Sequence, residues 1–364
     1  MSTDFEPEAR TPATRRIFRL IRQRPGISRV ELAQQAQLST GTVTQIVKRL
    51  RDEGLAREGM SQSAGLGRHR VGLIAESESM RLLGVSVRSD LLRFILSNWS
   101  GTAIQERSIA LSPDSDPGAV IERFARSLGE AHIVVKAIGL ATPSFPVAAR
   151  EAGDGYAQIL GKLLGQPVLV LNNGAAAAMA EEWHWLDHPP TRFLLVYFGA
   201  GIGGALVHPR VGGRPPGLHP VEIGHIGIAP EGERCRCGNR GCVELVAAPA
   251  MLARRVNGQD GSEQERLRGI AEEAMIYALT SAINVLDVAD VILAGLPLPL
   301  LERFYGDLTR RLGQLQTPDG MWVRPRLSEL GDMSAALGAA LAAADAWGGS
   351  VGQKVVDRNK EGAQ

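Results

Sequence analysis

Apolar residues recur at helical spacing near the front of the chain. In RRIFRLIRQR, Ile17, Leu20 and Ile21 share one helical face, and Pro25-Gly26 ends the helix. Ser28 caps a short helix, SRVELAQQA, with Glu31 three residues on as its partner in a capping box. After a turn at Gln37-Leu38, Ser39 caps a third helix, STGTVTQIVKRLRDEG. Its Val43, Ile46, Val47 and Leu50 form one apolar stripe at i, i+3, i+4 and i+7. The other face holds Thr40, Gly41, Thr44, Gln45 and Lys48, which are small or hydrogen-bonding residues able to approach base edges. Two β-like stretches, LAREG and HRVGLI, follow with SQSAGLGR between them. This order predicts a winged helix-turn-helix over residues 1–75, with its third helix in a major groove. A bland helical bundle is the alternative.

From about Met80 the pattern alternates. LLGVSV, LLRFILS, VVKAIGLA, PVLVLN, FLLVYFGA, GGALVH and DVILAGL read as buried or half-buried strands. Between them lie helical stretches, including AVIERFARSLGEAH, GAAAAMAEEWHW, MLARRVN, a long one near 263–287, and DMSAALGAALAAADAW. The alternation predicts an α/β body with two sheets over residues 76–364.

Bulk properties add limits. A length of 364 residues suggests two to three domains, and 44% apolar with 22% charged residues suits a soluble globular protein. MSTDFEPEAR lacks the pattern of a signal peptide, and VILAGLPLPLL is too short and proline-rich to span a bilayer. With reduced cysteines these features predict a cytoplasmic protein. The net charge of +1 hides an asymmetry: residues 10–72 carry thirteen Lys/Arg against four Asp/Glu. Three acids precede them, so residues 73–364 sum to −5. A basic front on a mildly acidic body suits a polyanionic partner, although a solvated basic face gives the same count. In AGLGRHR, Arg68 and Arg70 form a basic arm suited to phosphate or a minor groove, or a linker that happens to be basic.

All three cysteines sit in CRCGNRGC, at 235–242. An odd count at C-x-C and C-x₄-C spacing suits a tetrahedral metal site better than disulfides, with His225 as the nearest fourth ligand. A reactive or redox cysteine cluster is the alternative.

A winged helix-turn-helix followed by GAGIGG, VEIGHI and CRCGNRGCVE resembles the ROK family of repressors and sugar kinases, over about residues 12–346. The resemblance implies an actin-like ATPase fold with two ribonuclease-H-like lobes. These would be about 76–180 plus a returning helix at 332–347, and about 190–331. It also implies one structural zinc per chain on His225, Cys235, Cys237 and Cys242. A sugar pocket is implied at Asn172, Asn173, Glu222, His225 and Glu244, although Val221 stands where the family usually has glycine. Carboxylates suit a sugar because each can accept two hydroxyl hydrogen bonds. The plainer readings are that Glu222 orients His225 and that Glu244 faces a helix dipole.

The kinase pattern of that family is broken in three places. Ser86 stands for the acid of the first phosphate loop, Asn173 for the general base, and Ala294-Gly295 for the glycine pair near the adenosine. An amide cannot take a sugar proton at neutral pH, which removes a contribution of about 10²–10⁴ in rate. The stretch from GLATPSF to VLVLNN is also shorter than in most relatives, implying a pocket that is open, altered or vestigial. The resemblance implies a sugar-responsive repressor acting on operator DNA as a homodimer or dimer of dimers, without catalysis. The rivals are a sugar kinase with an added DNA-binding unit, and a DNA-binding protein with a vestigial pocket.

Overall fold

The computed structural model describes residues 11–60, 71–75, 81–112, 114–143, 147–184, 192–208, 216–295 and 302–347. The front of the chain forms three helices and a two-stranded ribbon. These are α1 (Pro12–Gln23), α2 (Arg29–Ala36), α3 (Thr40–Asp52), β1 (Ala56–Met60) and β2 (Val71–Ala75). The capping signals act as the sequence suggests. The Ser28 amide donates to Glu31 at 2.8 Å while the Glu31 amide donates to Ser28 Oγ at 3.3 Å, so two otherwise orphaned N–H groups are satisfied at once. Ser39 Oγ accepts from the Thr42 amide at 3.1 Å and starts α3. Between α2 and α3, Gln37 takes a left-handed conformation, which turns the chain sharply enough to cross the two helices. Val43, Val47 and Leu50 are fully buried against Ile17, Ile21 and Leu32, so the predicted stripe is the core of this unit.

The body holds two five-stranded sheets of matching plan. The first comprises β3 (Arg81–Val87), β4 (Leu91–Ser97), β5 (Ala103–Ala110), β6 (Val135–Thr142) and β7 (Val168–Asn172), in the order β5-β4-β3-β6-β7. The second comprises β8 (Phe193–Phe198), β9 (Ile202–His208), β10 (Gly217–Val221), β11 (Asp290–Ala294) and β12 (Arg324–Leu327), in the order β10-β9-β8-β11-β12. In each, the first three strands of the chain order pair antiparallel and the last two join in parallel. Parallel joins need crossovers, supplied by α4 (Pro117–Glu130) and α5 (Val147–Leu164) in the first sheet. In the second, α7 (Glu244–Ala247), α8 (Pro249–Val256) and α9 (Gly261–Leu286) lie between β10 and β11, and α10 (Glu302–Leu312) between β11 and β12.

Two alanine-rich helices, α6 (Asn173–His184) and α11 (Ser334–Ala346), lie against each other beside the sheets. Small residues let their backbones come very close. A Cβ at Gly338 would lie 1.6 Å from the Ala176 carbonyl oxygen, and one at Gly139 would lie 1.9 Å from that of Ala339. The N-terminal unit is not a separate bead: Leu82, Trp99, Ala137 and Ala340 of the body share one apolar cluster with its core. Among the described residues, no helix is long and apolar enough to cross a membrane.

Candidate functional site

The strand ends that face one another across the two sheets enclose a cavity of about 340 Å³. All five residues expected at a sugar pocket line it: Asn172, Asn173, Glu222, His225 and Glu244. Chain topology brings them together. Asn172 ends β7, Asn173 opens α6, Glu222 and His225 flank a short turn after β10, and Glu244 opens α7. Ala149, Ala152 and Tyr156 of α5 close one side, so the stretch expected to be short still contributes a wall. The loop GAGIGG, between β8 and β9, forms the floor.

The polar groups differ in how they are already used. Asn173 is buried, with Oδ1 accepting from Ser86 Oγ and Nδ2 donating to the Val87 carbonyl, both at 3.1 Å. Asn172 Oδ1 accepts from the Ala175 amide at 2.6 Å and so ties the start of α6. Glu244 Oε2 accepts from the Ile202 amide at 3.0 Å, and its Oε1 lies 2.9 Å from Arg236 Nη2. A Cβ at Gly201 would lie 2.2 Å from that carboxylate, which is a physical reason for glycine there. Glu244 therefore clamps the glycine loop to the cysteine loop, a role sequence reading did not anticipate.

Two cavity arginines were also missed. Arg236 sits between two cysteines, where only the cysteine spacing drew attention. Arg88 follows β3, is 7% exposed, and forms a two-point pair with Asp90 at 3.0 and 2.8 Å. Nearby, burial pushes the Tyr197 phenol above its ordinary pKa, keeping it a hydroxyl.

Beside the cavity, the ligating atoms of His225, Cys235, Cys237 and Cys242 all lie within 4.8 Å of one another. Cys237 Sγ is 3.6 Å from Cys242 Sγ, and Cys235 Sγ is 3.6 Å from His225 Nδ1. Those separations are far too long for a disulfide. They match the spacing of about 3.8 Å that tetrahedral thiolates about 2.3 Å from a metal would have. The loop reaches this shape through left-handed Gly238 and Gly241; a Cβ at Gly241 would also strike the Ala229 carbonyl at 1.8 Å. The cluster is thus able to hold a metal ion.

On the N-terminal unit, Thr40, Gly41, Thr44, Gln45 and Lys48 are all exposed on α3, opposite its buried stripe. Arg29 and Arg51 both reach Glu58 of β1, at 3.0 and 2.9 Å, which ties the ribbon to α2 and α3. Arg68 and Arg70 lie outside the described residues.

Comparison with known proteins agrees with this geometry. A winged helix-turn-helix DNA-binding family matches residues 10–57. The DNA-binding transcriptional dual regulator NagC of Escherichia coli K12 is 27% identical over 259 residues, covering 66% of this chain and 63% of that protein. This chain therefore spans somewhat less than two thirds of that relative. A crystal structure of a ROK family transcriptional regulator, described as a homologue of the E. coli MLC protein, superposes with a TM-score of 0.68 at 22% identity, covering 92% of this chain and 96% of that one. A ROK hexokinase from Thermus thermophilus superposes with a TM-score of 0.53 at 24% identity, over 72% of this chain and 98% of that one. The ROK family matches residues 152–346, more than half of the chain, and the protein belongs to that family.

Proposed function

We propose that the protein is a sugar-responsive transcriptional regulator, acting as a repressor, whose pocket binds a sugar without phosphorylating it. The observation that carries the reading is the pairing, in one chain, of an exposed hydrogen-bonding face on α3 with a cavity lined by Glu222, His225 and the Asn172–Asn173 pair. A carboxylate accepts from sugar hydroxyls and the amides can donate or accept. Relatives named N-acetylglucosamine repressor and xylose repressor support the same reading. Binding two half-sites with two copies of α3 favours a homodimer on a palindromic site.

Zinc is the metal that one imidazole and three thiolates suit best, in a closed four-ligand site. It would brace the turn that carries Glu222 and His225, with a structural rather than a chemical role. The kinase reading draws on the Thermus hexokinase fold. Against it stands Asn173, an amide whose two ends are bonded to Ser86 and Val87, at the position where a kinase needs a base.

A duplex selected from a random DNA library tests the DNA half. The full chain should retain it as a dimer. Gln45→Ala should lose about 1–3 kcal/mol of discrimination at particular base pairs, whereas Lys48→Ala should weaken all duplexes alike and lower the salt slope by about 1. Retention of the duplex after deletion of residues 1–75 would refute this assignment.

A further inference from the structure

Helix α6 touches the pocket at one end and the DNA-binding unit at the other. Its first residue, Asn173, lines the cavity and is bonded to β3 through Ser86 and Val87. Its last turn carries two adjacent buried carboxylates that point to different bodies. Glu181 accepts from Arg326 Nη2 of β12 at 3.0 Å and from Ser328. Glu182 accepts from Arg19 Nη2 of α1 at 2.8 Å, with both side chains 4% exposed or less.

The docking around Arg19 is extensive. The Trp183 ring lies 4.7 Å from the Arg19 guanidinium and 4.6 Å from that of Arg22. Arg22 donates to the Trp99 carbonyl at 2.7 Å and to Asp345 of α11 at 2.9 Å, and Arg19 also pairs with Asp345. Burying two arginines on the first helix of a DNA-binding unit is costly unless their geometry is held. Burial pushes the Glu182 carboxyl up to about 7, with Arg19 acting in the opposite direction.

We propose that α6 is the rod that couples the pocket to the DNA-binding unit, with the Arg19–Glu182 pair as its joint to α1. Twelve residues of helix span about 18 Å. The close backbone approach between α6 and α11 at Gly338 resists bending, so a shift at Asn173 is delivered whole to Glu182. Because α1 shares its core with α3, a change in the seat of α1 re-aims the face that carries Gln45. The coupling gives the proposed regulator its switch and rests on that reading for its meaning.

Amide hydrogen exchange on the full-length, zinc-loaded protein tests it without any sugar, so failure here is separable from failure of the sugar reading. Glu182→Gln should speed exchange of residues 12–23 about tenfold. Ser86→Ala and Asn173→Asp both remove or change the bond that holds the pocket end of α6, yet they should speed the same α1 amides severalfold. Glu222→Gln, in the same cavity but off α6, should leave them at the wild-type rate. Wild-type exchange of α1 in both pocket-end variants overturns the proposal, as does an equal response to Glu222→Gln. Protection of Phe193–Phe198 in β8 reports that a variant is folded; if Asn173→Asp loses it, Ser86→Ala decides.

Discussion

Glu222 and His225 stand at the cysteine-loop end of the cleft on a three-residue turn, whereas Asn172 and Asn173 stand at the other end where β7 passes into α6. The first pair is shaped from outside, by a loop whose three thiols converge on the His225 imidazole. The second pair is shaped from inside, because its amides are bonded to Ser86, to the Val87 carbonyl and to the backbone of α6. One end is framed by a cluster able to hold a metal ion and keeps a carboxylate at the cavity wall. The other is a joint of the fold, with the Asn173 amide held at both ends and Asn172 tied to the start of α6. Under the proposed function, the end with Glu222 would recognise a sugar, while the Asn173 end is already taken up by structure.

Removing the metal should separate the two ends most sharply. Cys237→Ser should lower zinc affinity by on the order of 100-fold or more, taking the count from about one per chain toward zero. Sugar binding should fail with it, while the hydrogen bonds of Asn173 persist. Elemental analysis alongside a sugar-induced melting shift would measure both, and freshly prepared, unchelated protein without zinc would contradict the first half. Next in size, Asn173→Ala should cost about 1–3 kcal/mol of unfolding free energy, because the Ser86 hydroxyl and Val87 carbonyl lose buried partners. Zinc content should stay unchanged. Glu222→Gln should do the reverse, weakening the sugar about tenfold by replacing a charged acceptor while barely changing stability. An effector response untouched by Glu222→Ala would favour a vestigial pocket instead. Asn173→Asp should have the smallest effect on chemistry. With Ser86 and Ala294 still in place it should create no kinase, and any sugar-dependent ATP turnover by that variant would show that one residue separates the two activities.

Much of this was legible in the chain because local rules and tertiary structure agree there. Ser28, Glu31 and Ser39 mark helix starts through bonds made within three residues, and the stripe from Val43 to Leu50 needs only a helix and a core. The cysteine loop was legible from spacing alone. Strands β5, β10 and β12 were missed for a physical reason: they are edge strands, β5 being exposed along nearly its whole length, so no alternation of burial imprints them. Helix α1 misled in another way. Arg19 and Arg22 count toward the basic front that suits a polyanionic partner, yet Glu182, Trp183, Trp99 and Asp345 cover them from elements 77 to 323 residues away. Glu244 had the same difficulty: its use as a clamp depends on Arg236 and the Ile202 amide, which only the fold brings to it.

In the proposed function, the cleft recognises a sugar and passes that event to DNA without chemistry. Its most direct test is the affinity of the full chain for its selected duplex, titrated with a panel of neutral and phosphorylated sugars, with and without ATP and magnesium. At least one sugar should change the duplex dissociation constant by about tenfold, equally in both conditions and with no ATP consumed, since a ligand shifts the equilibrium by its differential affinity for the two states. A change that requires ATP, or phosphorylated sugar accumulating in the sample, would contradict the account.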